Sequence, residues 1–214
     1  MDSIQLEDLK KELSLIKNTL ILDFRPHDQF DEGFITGSVF IGDQISKYHK
    51  LLNINTEQII YAVPHLDAEE TKIMLNKLGF ETIRIVENTF DVTQLSELGL
   101  LDLIITIEPD ELAMDLPFDD KAKIIDLRPE ILFQASHIEN AENITLGEFA
   151  DIGTIAEIEE QENIYLFSND NDTSFAGSLI KRQGLHNFRK IKGTLKEIEE
   201  TNKIKIIKEK TTNN

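Results

Sequence analysis

The sequence predicts an α/β protein made of two similar domains, each a small parallel sheet flanked by helices on both faces. Two observations lead to this prediction, and the first is an internal repeat. The stretch LILDFRPHDQF is echoed by KIIDLRPEILF, so that Asp23 precedes Asp126 by 103 residues, and Arg25 precedes Arg128 by the same distance. The second observation is the regular alternation of strand-like and helix-like segments within each copy.

Each copy contains three apolar runs rich in β-branched residues, which predict short buried strands. A helix is expected between the last two runs, over residues 67–78 in the first copy and 173–183 in the second, each followed by a glycine suited to a helix C-terminus. Strand, helix and strand in this order predict parallel strands with right-handed crossovers. The runs are TLILDF, EQIIYAV and ETIRIV in the first copy and KAKIIDL, ENIYLF and NFRKI in the second.

The predicted domains are residues 1–98 and 99–205, followed by a flexible tail at 206–214. The first opens with an amphipathic helix. The first helix of the second is expected at Pro109, where Asp110 and Glu111 complement the helix dipole. The C-terminal stretch KIKIIKEKTTNN allows a further strand, with its end expected to be frayed.

Composition restricts the partners and the chemistry. The chain carries 22 basic and 40 acidic residues, a formal charge of −18, which opposes binding to nucleic acid or to an anionic membrane. No run approaches the roughly 20 apolar residues of a membrane span, and the N-terminus lacks the pattern of a secretory signal. A cytoplasmic protein is expected.

Cysteine is absent from the sequence. This excludes disulfides, thiolate metal sites and a cysteine nucleophile. The five histidines show no mutual spacing suited to a metal. Neither a cofactor nor a metal is predicted.

The repeated motifs resemble those of the rhodanese family. LDFRPHDQFDEGFITGSVFIG and IDLRPEILFQASHIENAENI are similar to the family's Asp-x-Arg strand end and Gly-His-Ile-x-Gly-Ala turn, and KLGF and KRQGL to its helix-closing motif. Over about residues 15–200 the order resembles the two rhodanese domains of metallo-β-lactamase-fold persulfide dioxygenase and sulfurtransferase fusions. The His-x-His-x-Asp-His block of the metallo-β-lactamase part is missing from the sequence, so that part is expected to be absent.

The resemblance implies a sulfur-carrying cysteine in a loop at a helix N-terminus, where backbone N–H groups stabilise a thiolate or persulfide. The family places this cysteine about seventeen residues before the helix-closing glycine, which leads to Ala62 and to Phe167, with Ser168 next. Two degenerate loops without a catalytic residue are therefore predicted: Ala62, Val63, Pro64, His65, Leu66 and Asp67 in the first copy, and Ser168, Asn169, Asp170, Asn171, Asp172, Thr173 and Ser174 in the second.

Acidic residues make both loops unsuited to an anionic sulfur donor. We interpret the second loop as a helix cap, with Asp172 or Thr173 as the N-cap residue. A divalent cation held by Asp170, Asp172 and Ser174 is an open alternative, although the glycine and distal glutamate of an EF-hand loop are missing. A hydrolase built on Ser168 would need a nearby base and an oxyanion hole.

The resemblance also implies structural roles. Asp23 with Arg25, and Asp126 with Arg128, are expected to bind neighbouring backbone and fix the strand ends. His137 stands where the family's Gly-His-Ile histidine is structural.

A catalytically inactive tandem rhodanese-like protein is the resulting prediction, acting as a protein-binding or regulatory module linked to sulfur metabolism. A metallo-β-lactamase-fold protein or another protein of sulfur metabolism is the expected partner, and neither nucleic acid nor membrane is. The alternative is a residual sulfurtransferase-family enzyme or hydrolase that uses the altered loop around Ser168.

Overall fold

A computed structural model of the chain describes residues 3–52, 57–65, 67–87, 90–158 and 163–209. Leu66 of the first predicted loop lies outside these residues. The chain divides into two compact units, residues 1–104 and 105–214. This division falls six residues after the predicted boundary, because Leu101–Asp102 pairs with Phe34–Ile35 and so belongs to the first unit.

The first unit contains a five-stranded sheet whose paired strands are all parallel, in the order β1-β6-β5-β2-β4, and a small antiparallel pair, β3 with β7. Its elements are β1 Ser3–Ile4, α1 Leu6–Leu15, β2 Thr19–Asp23, α2 His27–Glu32, β3 Phe34–Ile35, β4 Ser38–Phe40, α3 Ile45–Tyr48, β5 Ile59–Val63, α4 Ala68–Lys77, β6 Ile83–Val86, α5 Val92–Glu97 and β7 Leu101–Asp102.

The second unit repeats this plan, with a parallel sheet in the order β11-β9-β12-β13-β8 and an antiparallel pair, β10 with β14. Its elements are β8 Thr106–Ile107, α6 Pro109–Asp115, a 3-10 turn Leu116–Phe118, β9 Ala122–Asp126, α7 Glu130–Ala135, β10 Ser136–Ile138, β11 Glu142–Asn143, α8 Leu146–Phe149, α9 Ile152–Ala156, β12 Asn163–Phe167, α10 Asp170–Arg182, β13 Phe188–Ile191, α11 Leu195–Glu200 and β14 Ile206–Lys208.

The six predicted strands are confirmed as β2, β5, β6, β9, β12 and β13. The central strands are buried along nearly their whole length, which explains why they read as continuous apolar runs and not as alternating ones. Gly79 and Gly184 follow the two crossover helices with φ of 93° and 81°, a left-handed conformation that favours glycine.

The C-terminal segment forms a strand, as the sequence allows there. Ile206, Ile207 and Lys208, which the predicted domain bounds placed in a flexible tail, pair with Ile138, His137 and Ser136 of β10. Backbone hydrogen bonding therefore fixes this part of the segment. Within the described ranges, the helices are too short or too polar to cross a membrane.

Both units contain a buried tyrosine bonded to a carboxylate. In the first, the Tyr61 hydroxyl donates to Glu12 Oε2 at 2.5 Å, and Arg84 Nη1 lies 2.7 Å from Glu12 Oε1. Burial, and then the bond to Glu12, raise the pKa of Tyr61. In the second unit the Tyr165 hydroxyl donates to Asp119 Oδ2 at 3.0 Å. The repeat therefore preserves a polar contact as well as the core.

Replacing Tyr61 by phenylalanine is expected to make the protein less sensitive to alkali. Folded Tyr61 holds its proton more tightly than the unfolded residue, whose pKa is about 10. Its contribution to stability is therefore complete below about pH 10 and is lost as the pH rises further. Urea unfolding at several pH values should show a shallower alkaline decline for Tyr61→Phe, with about 1 kcal/mol lost near pH 7 from the missing hydrogen bond. Alkaline declines of equal slope would contradict this assignment.

Candidate functional site

The predicted site residues of each unit lie at the carboxyl edge of its parallel sheet. In the first unit Asp23 is in register with Val63, so the ends of β2 and β5 are adjacent. In the second, Asp126 is in register with Phe167 at the ends of β9 and β12. This is the edge at which parallel α/β sheets bind ligands.

The second junction is shorter than predicted. Strand β12 ends at Phe167 and α10 begins at Asp170, so only Ser168 and Asn169 lie between them. The Asn169 side chain accepts a hydrogen bond from the backbone N–H of Asp172 at 3.0 Å. Asn169 is therefore the N-cap residue, and the prediction of Asp172 or Thr173 in this role was wrong.

The helix predicted over residues 173–183 begins three residues earlier, at Asp170, so that residues 170–174 of the predicted degenerate loop form the first turns of α10. The physical reason is that Asn169 is itself a favourable N-cap residue and stands before Asp172 and Thr173 in the chain. The Thr173 hydroxyl adds bonds to the carbonyl oxygens of Asn169 and Asp170, both at 3.0 Å. The backbone N–H of Thr173 already donates to Asn169 O, so it is not directed toward a ligand.

The first junction is capped in the same way but is longer. Ala62 and Val63 belong to β5, and three residues, 64–66, separate Val63 from the N-cap residue Asp67. Asp67 Oδ1 accepts from the N–H of Glu70 at 2.8 Å, and the Thr71 hydroxyl donates to Asp67 O at 2.8 Å. His65 is exposed on this stretch. Each degenerate loop thus supplies a helix cap, Asp67 in the first unit and Asn169 in the second.

A buried lysine, which sequence reasoning missed, lies beneath the start of α10. Lys190 of β13 is 1% exposed, and its Nζ donates to Asp170 O at 3.1 Å and to Ser174 Oγ at 3.0 Å. The same Nζ lies 3.1 Å from Asp170 Oδ1. The cation therefore offsets the acidic charge that the sequence places at this helix start.

The sequence did contain a signal for Lys190. Residues 188 and 190 point to the same side of a strand, and Phe188 is an apolar core residue. In the first unit the register places Ile83 and Ile85 at the matching positions, and both are buried. A lysine where the repeat has a buried isoleucine needs a polar partner inside the protein.

The aspartate and arginine at each strand end form a two-pronged ion pair. Asp23 Oδ1 accepts from the N–H and Nε of Arg25, both at 3.0 Å, and Oδ2 accepts from Nη2 at 2.6 Å. Arg25 Nη2 also donates to the carbonyl of Gly33 at 3.0 Å. The pair therefore ties the end of β2 to the residue before β3.

The second unit repeats this arrangement with Asp126 and Arg128, whose Nη2 donates to Ser136 O at 2.7 Å. His137, in β10, stacks on Phe133 with ring centroids 4.0 Å apart, and its Nδ1 donates to Phe133 O at 2.7 Å. The polar groups of Arg128 and His137 therefore bond to backbone carbonyls of the protein, and the His137 ring also stacks on Phe133.

The second junction does not resemble a cation site. Asp170 faces Lys190, Asp172 Oδ2 accepts from Asn169 Nδ2 at 2.7 Å, and Ser174 Oγ accepts from Lys190. Among the described residues, no group of three or more histidine, aspartate or glutamate side chains could hold a metal ion.

Sulfur transfer through a covalent intermediate needs a thiolate nucleophile, which a chain without cysteine cannot supply. The Ser168 hydroxyl is nearly buried, and no histidine of the described ranges is hydrogen-bonded to it. The arrangement therefore lacks the nucleophile of a sulfurtransferase, and among the described residues Ser168 has no histidine bonded to it as a base.

Solved structures of sulfurtransferases are among those similar to this chain. A thiosulfate sulfurtransferase from Pseudomonas aeruginosa aligns with 97% of this chain at 11% identity and a TM-score of 0.44, and the chain spans 44% of that protein. The 3-mercaptopyruvate sulfotransferase SseA from Escherichia coli aligns with 91% of this chain and 98% of its own, at 15% identity and a TM-score of 0.39. Likenesses this distant say nothing about a substrate.

A rhodanese-like domain from Anabaena aligns with 51% of this chain and 83% of its own, at 18% identity and a TM-score of 0.44. No curated protein matches the sequence. The family model of the rhodanese-like domain matches residues 5–94 and again residues 108–201, which together make up most of the chain. The chain therefore belongs to the rhodanese-like family and contains two copies of its domain in tandem.

Proposed function

We propose that this tandem rhodanese-like protein is catalytically inactive and acts as a protein-binding module in sulfur metabolism. One observation carries the proposal. At both positions where the family holds a sulfur-carrying cysteine, the chain has no thiol and the strand leads into a capped helix, with Asp67 or Asn169 as the N-cap residue. The backbone N–H groups of Asp172 and Glu70, which a family member would direct at an anion, donate instead to the capping side chains of Asn169 and Asp67.

The charge distribution supports the same proposal. Glu69 stands in the first turn of α4, where its carboxylate is favourable to the helix dipole but repels an anionic donor such as thiosulfate. At α10 the Asp170 carboxylate is paired with Lys190, which leaves this cation less able to attract an anionic donor. The buried Lys190 amine is directed at Asp170 and Ser174. A partner that carries the catalytic part is consistent with this loss, and a metallo-β-lactamase-fold protein is our candidate.

Turnover assays test the inactive state. The purified chain should transfer no sulfur from thiosulfate to cyanide, or from 3-mercaptopyruvate to a thiol, above the rate in buffer. A thiosulfate sulfurtransferase assayed in parallel is the positive control. Sustained turnover by the thiol-free chain would falsify the proposal.

The partner is tested by mixing the chain with a metallo-β-lactamase-fold persulfide dioxygenase of the same cell that lacks rhodanese domains of its own. Co-elution of the two proteins in size-exclusion chromatography is the expected result. Separate elution at micromolar concentrations of both would remove this candidate and leave the inactive state unaffected.

Replacing Ser168 by cysteine is expected to restore almost no sulfur transfer. The new thiol would lie on a two-residue junction beside Asn169 and Asp170, without the loop of N–H groups that stabilises a persulfide. Turnover of thiosulfate should stay within a few fold of the unmodified chain, while labelling with a small alkylating reagent reports whether the thiol is reachable. A rate approaching that of the parallel sulfurtransferase would show that a missing thiol is the whole defect.

A further inference from the structure

Helix α6 and the 3-10 turn that follows it have apolar residues on two faces. On the inner face, Leu112 and Ala113 are buried, and Leu116 packs against the core of the second unit. On the outer face, Met114 and Phe118 are exposed and stand four residues apart. Met114 lies in the last turn of α6, and Phe118 ends the 3-10 turn that directly follows this helix.

The exposure of this outer pair is unusual for a surface helix, whose outer face is ordinarily polar. Phe118 is 89% exposed, the highest value among the large apolar side chains of the described residues, and Met114 is 58% exposed. Burying a phenylalanine side chain contributes about 1.5–3 kcal/mol, and aromatic residues and methionine are enriched in protein interfaces.

Acidic residues surround the pair. Asp110 precedes Met114 by four residues on α6, Asp115 follows Met114 directly, and Asp120 follows the 3-10 turn; all three are exposed. Lys121 is the first basic residue after them. The result is a small apolar surface with a negative rim.

The first copy lacks this surface. At the positions 103 residues earlier, Lys11 stands in place of Met114 and Leu15 in place of Phe118. Lys11 Nζ pairs with Asp8 Oδ1 at 2.7 Å, and Lys17 follows in place of Asp120. Leu15 is 81% exposed, but its charged neighbours are mixed. An apolar pair with an acidic rim is therefore specific to the second copy.

We propose that Met114 and Phe118, with Asp110 and Asp115, form a docking surface for a protein segment that presents apolar side chains between lysines or arginines. Charge complementarity selects this occupant, because a second copy of a chain with a charge of −18 would be repelled. This inference rests on the proposed protein-binding role and adds the chemistry of the partner, a segment with apolar and basic side chains. The surface is small, so the contact is transient and of micromolar affinity.

The test uses a fluorescein-labelled helical peptide of about 14 residues, made of leucine and lysine only, and follows its anisotropy as the full chain is added. Phe118→Asp should raise the Kd by about tenfold, as loss of an aromatic anchor does. The substitution is diagnostic because the added carboxylate would tighten a purely Coulombic contact. Since Phe118 is exposed, the variant should fold, which circular dichroism and its melting temperature will check.

Leu15→Asp is the matched control, because it adds the same charge at the equivalent position of the first copy. It should leave the Kd within about twofold of the unmodified chain. A peptide of leucine and glutamate in the same pattern should not bind.

Three results would overturn the docking surface: an unchanged or lower Kd for Phe118→Asp, an equal loss for Leu15→Asp, or equal binding of the leucine–glutamate peptide. Binding to phosphatidylcholine vesicles that depends on Phe118, without peptide binding, would assign the surface to lipid and also overturn it. Turnover of thiosulfate by the same preparation is a separate result, so failure of the docking surface and failure of the proposed inactive state are distinguishable.

Discussion

Replacing Asp23 by alanine is expected to lower the free energy of unfolding by about 3–5 kcal/mol. Asp23 is fully buried and supplies both carboxylate oxygens to Arg25, whose side chain is 9% exposed. Removing the carboxylate leaves a guanidinium in the interior with the carbonyl of Gly33 and the ring of Phe90 as its remaining described contacts. Urea unfolding at neutral pH, followed by circular dichroism, measures the loss.

Asp126→Ala is the matched substitution in the second unit. Arg128 has a side-chain exposure of 17%, so water can solvate it better after the change and the loss should be smaller. Hydrogen exchange should localise each effect to the unit that carries the substitution. A loss below about 1 kcal/mol for Asp23→Ala would mean that the Asp23–Arg25 pair contributes no more to the free energy of unfolding than a surface ion pair does.

Replacing Asp170 by asparagine is expected to cost about 2 kcal/mol of stability, because the buried Lys190 amine would lose the ion pair with the carboxylate that faces it. The Asp170 side chain is 48% exposed and that of Lys190 is 1% exposed. The cost therefore arises from the buried lysine, because water can still solvate the side chain at position 170. The carbonyl of Asp170 and the hydroxyl of Ser174 remain as acceptors, which keeps the loss below that of Asp23→Ala.

A double-mutant cycle with Lys190→Met tests this account. Methionine fills similar space without a charge, as Ile85 does at the matching position of the first unit. The double variant should therefore be more stable than Asp170→Asn alone. Strictly additive losses in urea unfolding would show that the two side chains do not interact.

The regular elements could be predicted because their physical signals are strong. Buried parallel strands give continuous apolar runs, and each crossover helix ends at a glycine, Gly79 or Gly184, that adopts a positive φ. Two-residue strands such as β1 and β11 were not predicted, since a run so short shows no period. Their positions depend on pairing with β6 and β9.

The candidate site was harder to predict, because several neighbouring residues are equally able to serve as the N-cap residue of α10. From Asn169 to Thr173 every residue can cap a helix, and composition does not say which one does. The counter-charge of Asp170 comes from Lys190, twenty residues further along the chain and on a different element. The spacing from Gly184 predicts where the junction between β12 and α10 lies, but it does not predict how many residues the junction contains.

The two-residue junction between β12 and α10 also limits how this domain could regain sulfur chemistry. Ser168 and Asn169 are all that separate Phe167 from the helix, and residues 170–174, which would have to surround a bound sulfur atom, are its first turns. A return to catalysis would therefore need substitutions that unwind these turns and release their backbone N–H groups, in addition to a thiol at position 168. The helix cap at Asn169, and not only the missing cysteine, keeps this junction from sulfur chemistry.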